Sequence, residues 1–187
     1  QDDDGNNTKS LSREHTVLAS RSGLVTVTGG KWTTYRAMAE DVLERCFERQ
    51  LLPRIAKGVT VKLPLQGASR RDSLPLTQAP GEHLYGSEIA LLRSLRGADR
   101  WLWRDAESGQ GGLSEAMVRF AVRHEMARSV EDVLARRSRL LFLDAAEAAR
   151  QAGAVAAILA DELGAGFDAA ASQRSFEVLA KQYQTLP

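Results

Sequence analysis

Gly29-Gly30-Lys31-Trp32-Thr33-Thr34-Tyr35-Arg36 sets paired glycines, a cation and two hydroxyls side by side. That combination suits holding an anion or a cofactor against the main chain. Glycine lets a ligand approach the backbone closely. A helix start leaves its first N–H groups without intrahelical partners, at the positive end of the macrodipole. Lys31 adds a mobile charge. Because a lysine in water keeps its proton at neutral pH, Lys31 reads as an electrostatic anchor and not as a general base. On spacing alone, an ordinary tight turn accounts for a glycine pair before a helix equally well.

The flanking residues would position this segment. Leu24-Val25-Thr26-Val27-Thr28 alternates apolar and hydroxylated side chains as a half-buried strand does. His15 to Ser20 reads as a second strand, joined to the first by a turn at Arg21-Ser22-Gly23, which predicts an antiparallel hairpin. A two-stranded hairpin is marginal in water by itself, so it is expected to complete a sheet supplied from elsewhere. After the glycines, Tyr35, Met38, Ala39, Val42 and Cys46 recur at helical spacing, which predicts a helix from about Thr33 to Gln50 with Glu40, Glu44 and Glu48 on its opposite side.

Pro53, Pro64, Pro75 and Pro80 then punctuate a long stretch with little periodicity, which marks a boundary between domains. Val59 to Leu63 is the one piece within it that reads as extended. Beyond it the chain reads as helical. Ser87, Ser114, Asp144 and Asp168 are candidate N-caps, Ser129 with Asp132 resembles a capping box, and Gly164 ends a helix. Ala145, Ala148, Ala149, Ala152, Val155, Ala156, Leu159 and Leu163 trace a narrow apolar seam that implies close helix packing. The expected organisation is therefore 1–52, a 53–86 connector, and an all-α domain over 87–187.

Composition narrows the function. With 43% hydrophobic and 26% charged residues over 187 positions, the chain is an ordinary globular one with material for a core. Twenty-five basic against twenty-four acidic residues give a net charge of +1, no electrostatic footprint for nucleic acid. The single cysteine, Cys46, has no internal disulfide partner and falls on the apolar stripe, so it reads as a small buried hydrophobe. No apolar run reaches the roughly 18–20 residues of a membrane span. His124-Glu125 lacks the second histidine of H-E-x-x-H, because Arg128 stands there. No metal site is expected, and His124 reads as a core or interface histidine. Arg136, Arg137 and Arg139 form the densest basic patch, either a salt-bridged helix face or a contact for acidic headgroups.

The string Gly29 to Arg36, followed by Met38-Ala39-Glu40-Asp41, resembles the flavin-contacting segment of FAD-dependent glycerol-3-phosphate dehydrogenases. Arg123 to Arg137, followed by Leu140-Leu141-Phe142-Leu143-Asp144, resembles the signature of their C-terminal helical domain, in the same order along the chain. Trp32 departs from the leucine often found at its position. The resemblance implies a mainly α chain: a C-terminal helical bundle preceded by a β-hairpin and helix that belong to a truncated FAD-binding α/β domain. It implies Gly30, Lys31, Trp32, Thr33 and Thr34 as contacts of FAD at the edge of the ring that gains negative charge when hydride arrives, with Lys31 also near the substrate. Glycerol 3-phosphate and a quinone are the implied partners. A cytoplasmic location, a peripheral contact with the inner face of the cell membrane and a homo-oligomer come with that reading as open expectations.

The dinucleotide turn G-x-G-x-x-G and its acidic ribose partner are not found in the sequence. The expectation is therefore that the chain is a C-terminal portion, holds no FAD unaided, carries no catalytic residue of its own and is inactive alone. Two alternatives stand beside this reading: a glycerol-3-phosphate oxidase that uses oxygen, and a helical interaction or oligomerisation module.

Overall fold

Alternating side chains along β1 (His15–Ala19) and β2 (Val25–Gly29) form the expected antiparallel hairpin, with His15 opposite Gly29 and Val17 opposite Val27. Ser20 N–H donates to the Leu24 carbonyl at 2.9 Å to close its turn. The computed structural model describes residues 15–54, 58–68, 80–104 and 111–184. It divides the chain into two units, Gln1–Pro64 and Leu65–Pro187.

In the first unit the two glycines lead into a single 3-10 turn, Trp32–Thr34, and then into α1 (Tyr35–Glu48). The helix therefore starts two residues later than its periodicity suggests. Of the predicted stripe, Cys46 is buried, Met38 and Val42 are half-buried, and Tyr35 and Ala39 are exposed. Among the described residues of this unit Cys46 is the one buried apolar side chain, while Leu18, Leu24, Val27, Trp32 and Leu43 stand largely in solvent. Glu40, expected on the solvent side, instead accepts hydrogen bonds from Arg36 and from Thr60. Thr60 lies in a turn closed by the Lys62 N–H donating to the Val59 carbonyl at 3.2 Å. The expected extended piece is thus a turn, and no strand pairs with it among the described residues.

The second unit contains the whole hydrophobic core cluster. Its elements are a 3-10 segment (Glu82–Glu88), α2 (Ile89–Ser94), β3 (Trp101–Arg104), β4 (Gly112–Ser114), α3 (Glu115–His124), a π-wound segment (Asp132–Arg137), α4 (Leu140–Leu143), α5 (Ala145–Leu163) and α6 (Ala169–Gln184). The seam on α5 packs as its alanines require: Ala148, Ala152, Val155, Ala156 and Leu159 are buried, and α6 contributes Phe176 and Ala180. Asp144 and Asp168 cap α5 and α6, each accepting a backbone N–H at 2.8 Å. Ser129 Oγ accepts the Asp132 N–H at 3.0 Å as a capping box requires, but the return bonds to Asp132 Oδ2 come from the Ser129 hydroxyl at 3.0 Å and the Arg128 N–H at 2.9 Å and not from the Ser129 N–H, so only half of the expected box forms.

Two expectations for this unit are corrected. The 87–187 stretch is not all-α, since β3 and β4 pair antiparallel with a register shift between Trp101 and Trp103. Gly112 permits the pairing: a Cβ there would lie 2.4 Å from the Trp103 carbonyl. Ser87 caps nothing. Gly86, at φ 51 and ψ −119, breaks the helical run just before it, and α2 begins after Glu88 without a side-chain cap.

Ser114 does cap α3. Its fully buried hydroxyl accepts the Met117 N–H at 3.3 Å. Ser114→Ala would leave that N–H unsatisfied and is expected to lower the stability of the unit by about 1–2 kcal/mol, read as a lower urea midpoint at unchanged slope.

Candidate functional site

Gly29 and Gly30 both adopt positive φ, 77° and 88°, conformations that favour glycine. Their consecutive left-handed geometry turns the chain out of β2 and into the helical start. A Cβ on Gly30 would lie 2.6 Å from Met38 Sδ and 3.2 Å from His15 Cβ, so the bend is packed tightly between strand and helix. Lys31 is extended, at φ −128 and ψ 149, and neither Lys31 nor Thr34 supplies a side-chain cap to the turn that follows.

The first backbone bond of that turn runs from Thr34 N–H to the Lys31 carbonyl at 3.0 Å, and the Thr34 hydroxyl donates to the same carbonyl at 3.0 Å. Trp32 and Thr33 therefore hold the leading N–H groups of the helical run, which lack intrahelical acceptors by geometry. Thr34 closes the turn and keeps its hydroxyl oxygen as an acceptor. Lys31, Trp32, Thr33 and Thr34 are all exposed and Gly30 is half-buried. Trp32 is 87% exposed, with its ring tilted 31° to that of Tyr35 at 5.7 Å between centroids.

The surrounding charges are tied down. Arg36 pairs with Glu40 at 2.9 Å and donates to Thr60 at 3.1 Å, so its carboxylate partner comes from its own helix. The hydrogen bond from Thr60, and then that from Arg36, hold the Glu40 carboxyl below its ordinary value. His15 Nε2 meets Asp41 Oδ2 at 2.6 Å. Sequence reasoning did not single out that pair, because its members lie on different elements, 26 positions apart.

In the second unit the remaining candidates resolve differently. His124 is exposed, lying against Phe120 at 4.7 Å between ring centroids, and is not a core residue. Arg136 pairs with Glu131 and Asp132 at 2.6 and 2.9 Å, and Arg137 donates to the Glu125 carbonyl. Most of the basic patch is thus a salt-bridged helix face. A cavity of about 470 Å³ is lined in part by Tyr85, Met117, Glu125 and Arg137. Burial pushes the Glu125 carboxyl up against the opposing pull of Arg137, and its Oε2 has no hydrogen-bond partner. Among the described residues no helix is long and apolar enough to cross a membrane.

Residues 58–170 match the family described as the C-terminal domain of alpha-glycerophosphate oxidase. The chain is 36% identical over 179 residues to the mitochondrial glycerol-3-phosphate dehydrogenase SDP6 of Arabidopsis thaliana, covering 83% of this chain and 28% of the relative. It is 37% identical over 180 residues to a probable mitochondrial glycerol-3-phosphate dehydrogenase of Caenorhabditis elegans, covering 88% and 25%. It is 39% identical over 144 residues to glycerol-3-phosphate dehydrogenase 1 of Mycobacterium bovis, covering 71% and 26%. The chain spans about a quarter of the length of these curated relatives. No solved structure matches it.

Proposed function

The chain belongs to the family of C-terminal domains of alpha-glycerophosphate oxidase, and from that premise we propose that it serves as the C-terminal part of a flavoenzyme that oxidises glycerol 3-phosphate to dihydroxyacetone phosphate. The observation that carries this reading is the bend itself: two left-handed glycines deliver an uncapped helical start, with Lys31 and Trp32 in solvent, to the surface of a unit whose described residues include a single buried apolar side chain. Such a unit gains its missing burial by packing against a larger domain, and the exposed apolar residues of β1, β2 and α1 give it the surface to do so.

When bound, FAD would accept the hydride from C2 of the substrate and develop negative charge along one edge of its ring. Gly30, Lys31, Trp32, Thr33 and Thr34 are the residues proposed to meet it. Their chemistry fits: the leading N–H groups of Trp32 and Thr33 are fixed dipoles that need no reorganisation as charge develops, which is what makes preorganised donors effective. The absence of a side chain at Gly30 keeps the bend in place under Met38. The Lys31 ammonium, on a flexible four-carbon stem, suits the phosphate of the substrate as a point charge. Trp32, broad and exposed, offers an apolar face for ring packing. The base that takes the hydroxyl proton and the dinucleotide turn would come from the remainder of the enzyme. Electrons would leave for a quinone.

The test joins the chain to the upstream part of its parent and measures bound flavin and dye reduction with glycerol 3-phosphate. Stoichiometric flavin and substrate-dependent reduction are expected. Purification of the full-length protein without flavin overturns the reading, and stoichiometric peroxide under air would replace quinone by oxygen as the acceptor.

A further inference from the structure

We infer that His15 is a positioning residue for the diglycine bend: its imidazole, held by Asp41, latches the strand that flanks the bend to the helix that leaves it. The inference rests on the function proposed above, since it concerns how that site is held. His15 opens β1 and lies opposite Gly29 in the ladder. Its Cβ is also one of the atoms that would crowd a side chain on Gly30, beside the Met38 thioether.

Met38 and Asp41 stand three apart on α1 and so share a face of the helix, the face turned to the strand. Met38 fills the space under the bend, and Asp41 reaches His15 Nε2 at 2.6 Å. The bend is thereby pinned on both sides. A hydrogen-bonded contact joins β1 to α1 across the two residues whose conformations decide where Lys31 and the N–H groups of Trp32 and Thr33 stand.

The size of the effect follows from exposure. The side chain of His15 is 22% exposed and that of Asp41 59%, so this is a surface pair, which favours its closed arrangement by a factor of about five at most. A latch of that strength contributes little to folding. It does set how often the bend occupies one geometry, and turnover falls with the population of the geometry that aligns the reacting groups, by no more than that factor. The backbone of the bend is rigid and the Lys31 stem is not, so loss of the latch is expected to fall on turnover more than on substrate affinity.

The experiment uses the full-length flavin-loaded enzyme with His15→Ala, His15→Gln, Asp41→Asn, the His15→Ala/Asp41→Asn double variant and, as a control, Glu48→Gln, which breaks a different ion pair of the same helix, that of Glu48 with Arg45 at 2.7 Å. His15→Ala keeps the Cβ that packs at Gly30 and removes only the reach to Asp41. Expected results are a kcat about fivefold lower for His15→Ala and Asp41→Asn, with KM within twofold, and a double variant no worse than either single one. His15→Gln, which keeps a donor at similar reach, should recover most of the loss, and Glu48→Gln should match the parent. Unchanged kcat in His15→Ala, or additive losses in the double variant, overturns the latch and leaves the flavin reading standing. A parent without flavin or glycerol 3-phosphate oxidation takes both down.

Discussion

Replacing Arg119 with methionine is expected to cost the helical unit roughly 3–5 kcal/mol, enough to lower its midpoint by on the order of 10–20 °C or to prevent folding at 37 °C. Arg119 is 4% exposed, and its guanidinium is the hub of an ion network. Nε and Nη2 donate to Glu115 Oε1 at 3.0 and 2.6 Å, Nη2 reaches Asp161 at 2.7 Å, and Nη1 donates to Glu162. Arg123 holds the other oxygen of Glu162 at 2.6 Å, and Arg100 holds Glu115 Oε2 at 2.7 Å. The network ties α3 to α5 and to the turn at Gly97–Arg100. Gly97, at φ 83, comes so close that a Cβ would lie 2.6 Å from the Glu115 side chain.

Removing the hub leaves Glu115, 2% exposed, and Glu162, with a 7% exposed side chain, short of their shared cation in a low-dielectric site. The penalty is that of an uncompensated buried charge and not the net worth of the ion pair. Changing Glu115 to leucine together with Arg119 to methionine should therefore recover a large part of the loss, which denaturant unfolding of both variants would measure. If Arg119→Met alone unfolds within 1 kcal/mol of the parent, the network is not holding the unit together.

Acid should act on the same contacts. Arg119's hydrogen bonds, opposed by burial, hold the Glu115 carboxyl below its ordinary value of 4.5, and Arg123's hydrogen bond, again opposed by burial, does the same for Glu162. A carboxyl whose folded pKa is depressed contributes stability that is complete above its unfolded value and is lost as pH falls through the folded one. Stability of the unit should accordingly drop from about pH 4.5 downward, and the drop should flatten in the Glu115→Leu/Arg119→Met variant.

Much of the architecture was legible because it is written locally. The hairpin of β1 and β2, the caps at Ser114, Asp144 and Asp168, and the alanine seam of α5 each involve residues within a few turns of one another, and all are found, although β2 itself is exposed beyond Val25 and not half-buried. What escaped depends on partners far along the chain. Glu115, Arg119 and Arg123, spaced four apart, promise by that spacing no more than modest support for their own helix, and it is Glu162, 43 positions beyond Arg119, that joins them into a network between helices. Trp101 and Trp103 acquire a strand partner because Gly112 admits the close approach, a role that the run Gly109-Gln110-Gly111-Gly112 does not announce in the sequence. The candidate site follows the same division. Its five proposed contacts are contiguous, so one short string and its resemblance suffice to propose them together, whereas the His15–Asp41 pair and the Thr60 bond to Glu40 join separate elements. Thr34 illustrates a finer limit: its hydroxyl suggested a ligand donor, and the fold commits that proton to the Lys31 carbonyl.

Gly30→Val should weaken flavin binding by the full-length enzyme on the order of a hundredfold, with turnover lost in proportion. Two costs add. A β-branched residue at φ 88 carries roughly 1–2 kcal/mol of left-handed strain. Its Cβ would also stand 2.6 Å from Met38 Sδ, an overpacking worth about 1–3 kcal/mol if the neighbour cannot yield. The bend can relieve both only by moving, and movement carries Lys31 and the leading N–H groups away from the position that the cofactor would require. The costs separate experimentally, because the thioether is the flexible end of its side chain and the backbone angle is not. Gly30→Ala combined with Met38→Ala removes the clash with the thioether and leaves the strain and the 3.2 Å approach to His15 Cβ, so it should bind flavin better than Gly30→Val and worse than Met38→Ala. Retention of full flavin and turnover in Gly30→Val would mean that the bend does not face the cofactor at all.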